Sequence, residues 1–179
     1  MKIKKALCLI SSGFDSPVAM HKILKRKVEV IAIHFNNFPF TDHRPLEQTK
    51  HLVEILAKKF KKSIRFYNIE HGKAQSLNFK NSKRKYHCVI CRRIMFRVAA
   101  EIAKKEGCQA LVTGENLGQV ASQTLDNMIA IDKIATIPIL RPLLGNDKQE
   151  TIDIAKEIGT FDKSSEPSFC CKAVPKNPA

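Results

Sequence analysis

The chain of 179 residues is long enough for one domain with its own core, and its 44% hydrophobic and 27% charged residues are ordinary for a globular protein. Its 31 Lys and Arg against 17 Asp and Glu give a formal net charge of +14, which favours a polyanionic partner such as nucleic acid over a merely lysine-rich solvated surface. No apolar stretch of the sequence is long enough to span a membrane, which excludes an integral membrane protein and leads us to expect a cytoplasmic one.

Strand-like and helix-like segments alternate along the chain. Apolar runs predict five strands, at residues 6–10, 28–35, 64–69, 110–113 and 134–139. Helical periodicity predicts a helix beginning at Ser16 and further helices at 46–60, 89–105 and 147–158. Repeated strand–helix units predict an α/β fold, a doubly wound, mainly parallel five-stranded sheet with helices on both faces. Ligands of such sheets gather at the carboxyl ends of the strands, so the loops after these ends are expected to share one crevice.

The first predicted helix follows a short polar loop with the sequence Ser11-Ser12-Gly13-Phe14-Asp15-Ser16. Ser16 is a good N-cap residue and Pro17 suits the first helical position, so we predict that the helix begins there. Free N–H groups and the positive end of the helix dipole then face the loop, which makes it a candidate phosphate site. The loop is neither a Walker A nor a Gly-x-Gly-x-x-Gly sequence, and the alternative is an ordinary capped turn.

Two of the polar loops carry a family resemblance. Residues 11–16 resemble the Ser-Gly-Gly-x-Asp-Ser loop of the PP-loop ATP pyrophosphatases, with Ser12 standing where that family has glycine. If this position needs a positive φ, the Cβ of Ser12 costs about 1 kcal/mol. Residues 114–124 resemble the Gly-Glu-Ser-Leu-Gly-Gln-Val-Ala-Ser-Gln-Thr stretch of the tRNA 4-thiouridine synthetases of the ThiI type. Further matches extend over essentially the whole chain, at 14–19, 34–35, 138–143, 147–148, 157–160 and near Cys171.

The resemblance implies an enzyme, an ATP-dependent tRNA sulfurtransferase that adenylates uridine O4 and replaces it with sulfur to form 4-thiouridine. It implies a PP-loop domain over residues 1–163 and a C-terminal tail, residues 164–179, that carries Cys170 and Cys171. Asp15 and Cys171 would be catalytic, with Mg²⁺ bridging ATP to Asp15. The implied ATP-binding residues are Ser11, Ser12, Gly13, Phe14, Asp15, Ser16, His34, Phe35, Arg92, Gly114, Gln123 and Lys148.

Several of these residues have ordinary alternative roles. Arg92 could pair with Glu101 or Glu106 as surface charge. His34 could be a hydrogen-bonded core histidine. Lys148 could belong to a solvated helix surface.

Six cysteines in a cytoplasmic chain indicate working thiolates or metal ligands rather than a disulfide framework. The pair Cys88-Val-Ile-Cys91, just ahead of a predicted helix, suits half a zinc site, a redox pair or part of an iron–sulfur site. Cys88, Cys91 and one of the adjacent Cys170 and Cys171 would together suit an iron–sulfur cluster with one open iron, as in archaeal-type members of the family. Cys171 aligns best with the family's catalytic cysteine, so Cys88, Cys91 and Cys171 are the expected ligands. Cys8 and Cys108 are expected to be core thiols.

The basic segment around Lys80, Lys83, Arg84 and Lys85, beside Tyr86, is the candidate RNA-binding surface, with a flexible solvated loop as the alternative. Longer family members carry a tRNA-gripping THUMP domain ahead of the catalytic domain, and the resemblance covers the catalytic domain only. We therefore expect tRNA to be held by this domain's own charge or by a separate THUMP-type protein. The other expected partners are a sulfur donor, either sulfide or a persulfide protein, and a second copy of the chain in a homodimer.

Two other functions remain open at this point. The same enzyme class could act on another RNA site or on a small carbonyl substrate. Alternatively, the chain could be a non-catalytic nucleotide- or RNA-binding partner, since Ser12 departs from the family's loop. Some family members are associated with thiamine biosynthesis, and the sequence does not decide whether this chain takes part in it.

Overall fold

The computed structural model describes residues 2–167 and 171. In this part of the chain five parallel strands form one sheet in the order β3-β2-β1-β4-β5. The strands are β1 (Lys5–Leu9), β2 (Glu29–Asn36), β3 (Arg65–Glu70), β4 (Ala110–Val112) and β5 (Ile139–Leu140). The helices are α1 (Asp15–Lys25), α2 (Arg44–Phe60), α3 (Gly72–Asn81), α4 (His87–Lys105), α5 (Leu125–Asp132), α6 (Lys148–Glu157) and α7 (Phe161–Ser165). Short 3-10 turns lie at Arg84–Tyr86 and Ala121–Gln123.

The central strand β1 is buried on both faces, which confirms the predicted doubly wound α/β fold. Ala6 and Cys8 belong to the core on one side of the sheet, together with residues of α1, α2 and α6. Leu7 and Leu9 belong to the core on the other side, together with residues of α4 and α5. Alternate residues of a strand point to opposite faces, so a near-continuous apolar run is what such a strand needs.

The strand order reverses between β1 and β4. The chain builds β2 and β3 on one side of β1 and then returns through α3 and α4 to place β4 on the other side. In open α/β sheets this reversal leaves a crevice at the carboxyl ends of the two strands, and ligands bind there. The loop after β1 is residues 10–14, and the loop after β4 begins at Thr113.

Some predicted elements differ from the observed ones. The fifth strand, predicted at 134–139, is only Ile139–Leu140 because the chain is still turning at Ala135, whose N–H donates to Asp132 O at 3.0 Å. The helices α3, α5 and α7 are not among the elements predicted from the sequence. These helices are short, and α3 is rich in polar residues, so the apolar periodicity that marks a helix is weak in them. In the described part of the chain no helix has the length and apolar character that a membrane span requires.

Candidate active site

The loop after β1 is closed by hydrogen bonds between its two ends. The backbone N–H of Ser11 donates to Ser16 Oγ at 2.8 Å, and the two hydroxyl oxygens lie 3.1 Å apart. The predicted helix start was wrong, because α1 begins at Asp15 with Phe14 as N-cap residue, and Pro17 is its third residue. The Ser16 hydroxyl therefore serves to close the loop instead of capping the helix.

Serine at position 12 is compatible with the backbone of this loop. Among the described residues other than glycine, only Lys27 and Lys61 have positive φ. Ser12 therefore carries no left-handed strain, and the expected cost of its Cβ on that ground is not incurred. A Cβ added at Gly13 would have Ser11 Oγ, at 3.8 Å, as its nearest neighbour, which is an ordinary contact.

Gly114, in the loop after β4, packs directly against the backbone at the start of α1. A Cβ at this position would lie 2.6 Å from both the carbonyl carbon of Asp15 and the nitrogen of Ser16. Real Cβ atoms do not approach backbone atoms so closely, so any side chain would push the two segments apart. The absence of a side chain thus brings the loops after β1 and β4 together.

A cavity of about 150 Å³ opens where these two loops meet. Seven of the predicted ATP-binding residues line it: Ser11, Asp15, Ser16, Phe35, Arg92, Gly114 and Gln123. Thr113, Glu115 and Met95 also line it and were not predicted. The Oε1 atom of Gln123 is buried without a hydrogen-bond partner in the described part of the chain.

The other predicted ATP-binding residues do not line this cavity; they are Ser12, Gly13, Phe14, His34 and Lys148. Phe14 stacks on Phe161, with ring centroids 5.4 Å apart. His34 is buried, its Nδ1 lies 3.1 Å from the carbonyl oxygen of Ile10, and burial lowers the pKa of its imidazole. This geometry fits the alternative role of His34 as a core histidine.

The Asp15 carboxylate is partly buried beside the cavity. Burial raises its pKa, and the positive charge of Lys148, at the start of α6, acts in the opposite direction. A partly desolvated carboxylate next to a cation is a suitable ligand for Mg²⁺. Lys148 is therefore close enough to act electrostatically on the site.

A buried ion-pair network supports the wall of the cavity, and sequence reasoning missed it. Glu115 is only 2% exposed, and its carboxylate binds Arg92 and accepts a hydrogen bond from Arg141 Nε at 2.9 Å. Arg141 also binds Asp132, through Nη1 at 2.9 Å. Burial alone would raise the pKa of Glu115, but Arg92 and Arg141 more than offset it and hold that pKa below its usual range.

The alternative partners expected for Arg92 were wrong. Glu106 binds Arg65 and accepts a hydrogen bond from the Tyr67 hydroxyl at 2.5 Å, whereas Arg92 binds Glu115. Neither ion pair has a helical spacing, since Arg92 and Glu115 are 23 residues apart in sequence and Arg65 and Glu106 are 41 apart. The identity of residue 115 was visible in the sequence, but its partners were not.

A second cavity, of about 250 Å³, adjoins the first one. Cys88, Cys91 and Cys171 all line it, and it shares Arg92 and Met95 with the first cavity. We call the first the nucleotide cavity and the second the cysteine cavity. Cys88 and Cys91 are the second and fifth residues of α4 rather than lying ahead of the helix, and at this spacing they share one helical face. Cys170 lies outside the described residues.

The cysteine thiols are held in a poorly solvated setting. Burial raises the pKa of Cys91 to about 12, although the charge of Arg92 acts in the opposite direction. Burial also raises the pKa of Cys88, and His71 Nε2 lies 3.3 Å from the sulfur of Cys91. No group of three or more His, Cys, Asp or Glu among the described residues is arranged to hold a metal ion. The three thiols thus share a cavity without forming a preassembled metal site.

The remaining two cysteines are part of the hydrophobic core. Cys8 is 1% and Cys108 6% exposed, on opposite sides of the sheet. Burial raises the pKa of both thiols, to about 11 for Cys108. Both residues therefore have the setting of structural thiols, and the cysteine cavity does not include them.

The predicted RNA-binding residues are exposed, and in the sequence they shortly precede Cys88, which lines the cysteine cavity. Lys80 is in the last turn of α3, and Lys83, Arg84 and Lys85 connect α3 to α4, directly before Cys88. The Lys85 ammonium lies 4.8 Å from the centre of the Tyr86 ring. Most of the segment is ordered as helix or 3-10 turn, which differs from the flexible loop considered as its alternative.

A doubly wound parallel sheet, with a serine-rich loop at its switch point and a glycine packed against that loop, defines a nucleotide-binding α/β domain. The chain belongs to the ThiI family, since residues 2–179 match the family described as "Thiamine biosynthesis protein (ThiI)". This confirms the family resemblance identified in the sequence.

The similarity to individual relatives extends over nearly the whole chain. This chain is 44% identical over 177 residues to the "Probable tRNA sulfurtransferase" of Moorella thermoacetica, and the match covers 98% of this chain and 45% of the relative. A crystal structure of a 4-thiouridine synthetase–RNA complex with bound ATP has a TM-score of 0.93 and 40% identity, covering 98% of this chain and 46% of that one. The chain thus spans less than half the length of these relatives.

A more distant structure shares the fold alone. The U34-tRNA thiolase NcsA from Methanococcus maripaludis, solved with its [4Fe-4S] cluster, has a TM-score of 0.59 and 21% identity, covering 95% of this chain and 61% of that one. At this level of identity the likeness does not extend to individual site residues.

Proposed function

We propose that this chain is the catalytic domain of an ATP-dependent tRNA sulfurtransferase that forms 4-thiouridine. The observation that carries the proposal is the shared wall of the two cavities, in which Arg92 and Met95 separate the proposed ATP site from three cysteines. Activation by ATP and transfer of sulfur can then take place on one substrate carbonyl group, at its oxygen and its carbon in turn, without moving the substrate. The likeness to a 4-thiouridine synthetase with bound RNA and ATP supports the same assignment.

The nucleotide cavity is the proposed ATP site. The phosphates would be bound by hydrogen-bond donors of the 11–16 loop, including Ser12 and Gly13. The first N–H groups of α1 would add further donors. Phe35 and Gln123 line the same cavity, and the charge of Lys148 acts on Asp15. Phe14 and His34 do not line the cavity and stay predictions. Asp15 fits the role of a Mg²⁺ ligand, because Mg²⁺ in such sites takes one or two carboxylates and completes its coordination with phosphate and water oxygens. Bound there, the ion would neutralise charge on the departing pyrophosphate.

The proposed first step is phosphoryl transfer to the substrate carbonyl. Uridine O4 attacks the α-phosphorus of ATP, the bond from that phosphorus to the bridging oxygen breaks, and pyrophosphate leaves while the N3 proton is released. The carbonyl oxygen thereby becomes part of AMP, which is a good leaving group. Arg92, on the wall between the cavities, is placed to stabilise negative charge in this step.

The proposed second step replaces oxygen by sulfur at C4. The terminal sulfur of a persulfide on Cys171 attacks C4, and AMP leaves. A thiolate from Cys88 or Cys91 then attacks the Cys171 sulfur, which releases 4-thiouridine and leaves a disulfide for a cellular thiol to reduce. Bound sulfide could attack C4 directly in place of the persulfide. An iron–sulfur cluster on Cys88, Cys91 and Cys171 stays a prediction, and none of these steps depends on it.

The RNA is proposed to approach over the basic segment from Lys80 to Lys85. This segment leads directly into α4, so RNA bound there lies next to the cysteine cavity. A separate THUMP-type protein and a homodimer remain proposals for how the rest of the tRNA is held. A role in thiamine biosynthesis is consistent with the family description and is not needed for the tRNA reaction.

The proposal is tested by measuring pyrophosphate release on adding unmodified tRNA, followed by nucleoside analysis of the product. Release that depends on tRNA, together with 4-thiouridine, supports it. Release without 4-thiouridine points to another RNA site or a carbonyl substrate. No release with any tRNA, while ATP or RNA still binds, points to the non-catalytic alternative.

A further inference from the structure

A third cavity lies where β2 and β3 end. It has a volume of about 310 Å³, and we call it the Phe38 pocket. Asn36 and Glu70, the last residues of β2 and β3, are paired in the sheet and both line it. It is also lined by Phe38 and His43 from the segment between β2 and α2, and by Lys73 and Ser76 of α3. The Phe38 pocket therefore lies at the carboxyl edge of the sheet, the edge that also carries the nucleotide cavity.

The Phe38 pocket adjoins the cysteine cavity. Asn37 lines the cysteine cavity, and its neighbour in sequence, Phe38, lines the pocket. Residues of α3 line both cavities in the same way. His71, directly before α3, has its Nε2 atom 3.3 Å from the sulfur of Cys91, while the next residue, Gly72, lines the pocket. Two consecutive nucleotides of an RNA strand can therefore occupy the two cavities.

The Phe38 ring is exposed and is nevertheless held in place. The side chain is 50% exposed, and its ring stacks on His43 with centroids 4.5 Å apart and an angle of 19° between the planes. The backbone N–H of Phe38 donates to Asn36 Oδ1 at 3.1 Å. A Cβ at Gly72 would clash with the carbonyl oxygen of Phe38, so this loop packs directly on the start of α3. Because the ring is already positioned, stacking on it costs little conformational entropy.

The lining offers the groups that bind a nucleotide. An aromatic ring stacks on any base, and single-stranded RNA is usually bound by such rings together with basic side chains. Lys73 is exposed in the first turn of α3 and supplies a cation for a phosphate. Glu70, also exposed, can accept hydrogen bonds from the amino or N–H groups of a base edge. The formal net charge of +14 favours a polyanionic occupant.

We propose that the Phe38 pocket is the subsite for an unpaired nucleotide next to the reacting uridine, and that the base of this nucleotide stacks on Phe38. This inference rests on the proposed function, because a uridine attacked by the Cys171 sulfur has to lie at the cysteine cavity. The next nucleotide of the strand then reaches the adjoining pocket. Enzymes that modify an extruded base commonly hold the flanking nucleotides as well. Since stacking is tolerant of base identity, the pocket positions the strand and does not read its sequence.

The test measures the affinity of the protein for three tRNA transcripts at one fixed salt concentration. The first transcript is unmodified, and its reacting uridine is located by nuclease digestion and mass spectrometry of the thiolated product. The other two keep that uridine and carry an abasic nucleotide on its 5′ or its 3′ side. The reacting base is therefore intact in every probe.

Three variants are compared with the wild type. Phe38→Leu removes the ring and keeps an apolar side chain, whereas Phe38→Tyr keeps the ring. Leu77→Ala removes an apolar side chain that is 62% exposed on α3, the helix that lines the pocket, and serves as control. Thermal unfolding of all four proteins checks that they fold.

We expect Phe38→Leu to bind the unmodified transcript roughly 5- to 100-fold more weakly, and Phe38→Tyr and Leu77→Ala to change its affinity less than about 2-fold. For the wild type, one of the two abasic transcripts should bind more weakly by a similar factor, because it lacks the base that stacks. Phe38→Leu should bind that transcript and the unmodified one equally, since its ring is already gone. An effect of the abasic site on RNA folding would instead be the same for both proteins.

The inference is overturned, whether or not Phe38→Leu folds, by a wild type that binds both abasic transcripts as tightly as the unmodified one. Fully additive losses, or a Leu77→Ala variant that loses as much affinity as Phe38→Leu, also overturn it and assign the exposed ring to another contact, such as one with a protein. All three outcomes leave 4-thiouridine formation by the wild type intact. If the wild type forms no 4-thiouridine, the proposed function fails and this inference fails with it.

Discussion

Gly114 and Asp15 lie in backbone contact across the switch point of the sheet, so close that a Cβ on Gly114 would come within 2.6 Å of the Asp15 carbonyl carbon. Because of this contact, the loop after β4 supports the start of α1 directly. The position of the Asp15 carboxylate and of the first helical N–H groups therefore depends on the absence of a side chain at residue 114.

Replacing this glycine is expected to disturb the phosphate loop. Gly114→Ala must displace backbone atoms of Asp15 and Ser16, at a cost of about 1 to 3 kcal/mol in the free energy of unfolding. A displacement of about 1 Å at a reacting centre can reduce the rate by about 100-fold. The measurements are tRNA-dependent pyrophosphate release and thermal unfolding. Gly145→Ala is the matched control, because a Cβ there would meet no atom within 4 Å. Equal activity of the two variants would contradict the proposed role of this contact.

The Asp15 carboxylate is expected to be needed for chemistry and not for folding. Burial raises its pKa, so the ionised form is less favourable in the folded protein than in the unfolded chain, and its charge destabilises the fold at neutral pH. Asn at this position should leave the melting temperature unchanged or slightly raised, while Mg²⁺-dependent pyrophosphate release falls at least about 100-fold. Normal release by Asp15→Asn would exclude Asp15 as the Mg²⁺ ligand.

Glu115 is expected to hold Arg92 and Arg141 in place. Glu115→Gln leaves two partly buried guanidinium groups without their shared carboxylate, which should cost about 1 to 3 kcal/mol in stability and lower pyrophosphate release. Arg65→Gln, which also loses an Arg–Glu pair but at an exposed position, should change stability by less than about 1 kcal/mol. Similar losses for both variants would argue against the importance of the buried network.

The same network predicts a pH dependence of stability. The pKa of Glu115 is lower in the folded protein than its ordinary value of 4.5, so its charge stabilises the fold above that value. This contribution is lost as the pH falls through the folded-state pKa. The difference in melting temperature between the wild type and Glu115→Gln should therefore be largest near neutral pH and shrink below about pH 4.5. A difference that stays constant down to acidic pH would mean that the carboxylate is not the cause.

The sequence predicted those parts of the fold that depend on local patterns. The apolar run of β1, the periodicity of α2 and α4, and the position of the 11–16 loop at the sheet edge were all confirmed. The exact start of α1 was not, because the hydroxyl of Ser16 closes the loop through Ser11 instead of capping the helix. A single side chain with two available partners cannot be assigned from sequence spacing alone.

The site was predicted only as far as its residues carry a motif. Arg92 and Gln123 were expected at the nucleotide cavity and line it. The partners of Glu115 are 23 and 26 residues away along the chain, so no periodicity reveals them.

The basic segment is expected to contribute to RNA binding through charge. Reversing Lys83, Arg84 and Lys85 to glutamate should weaken tRNA binding by several kcal/mol at low salt and flatten the dependence of affinity on salt. The control reverses Lys58, Lys59 and Lys62, three exposed lysines at the end of α2, and makes the same change in net charge. If both triple variants lose affinity equally, the effect is one of overall charge. Unchanged binding by the first variant would place the RNA on another face.

The cysteines are expected to divide into two groups by location. Cys88, Cys91 and Cys171 line one cavity next to the nucleotide cavity. Replacing Cys171 by alanine, or Cys88 and Cys91 together, should abolish 4-thiouridine formation while pyrophosphate release persists. Replacing only Cys88 or only Cys91 should abolish it if a cluster carries the sulfur, whereas on the persulfide route the remaining thiol can still release the product. Cys8→Ala and Cys108→Ala remove core thiols and should retain thiolation, with a loss of stability only.

Thiolation is measured by nucleoside analysis, and iron and sulfide are measured in anaerobically prepared protein. Iron that disappears in all three cavity variants would support the cluster prediction. Full thiolation by an iron-free wild type would favour a persulfide on Cys171. Thiolation that survives Cys171→Ala would contradict both the cluster and the persulfide routes, since each needs that sulfur, and would leave direct attack by bound sulfide.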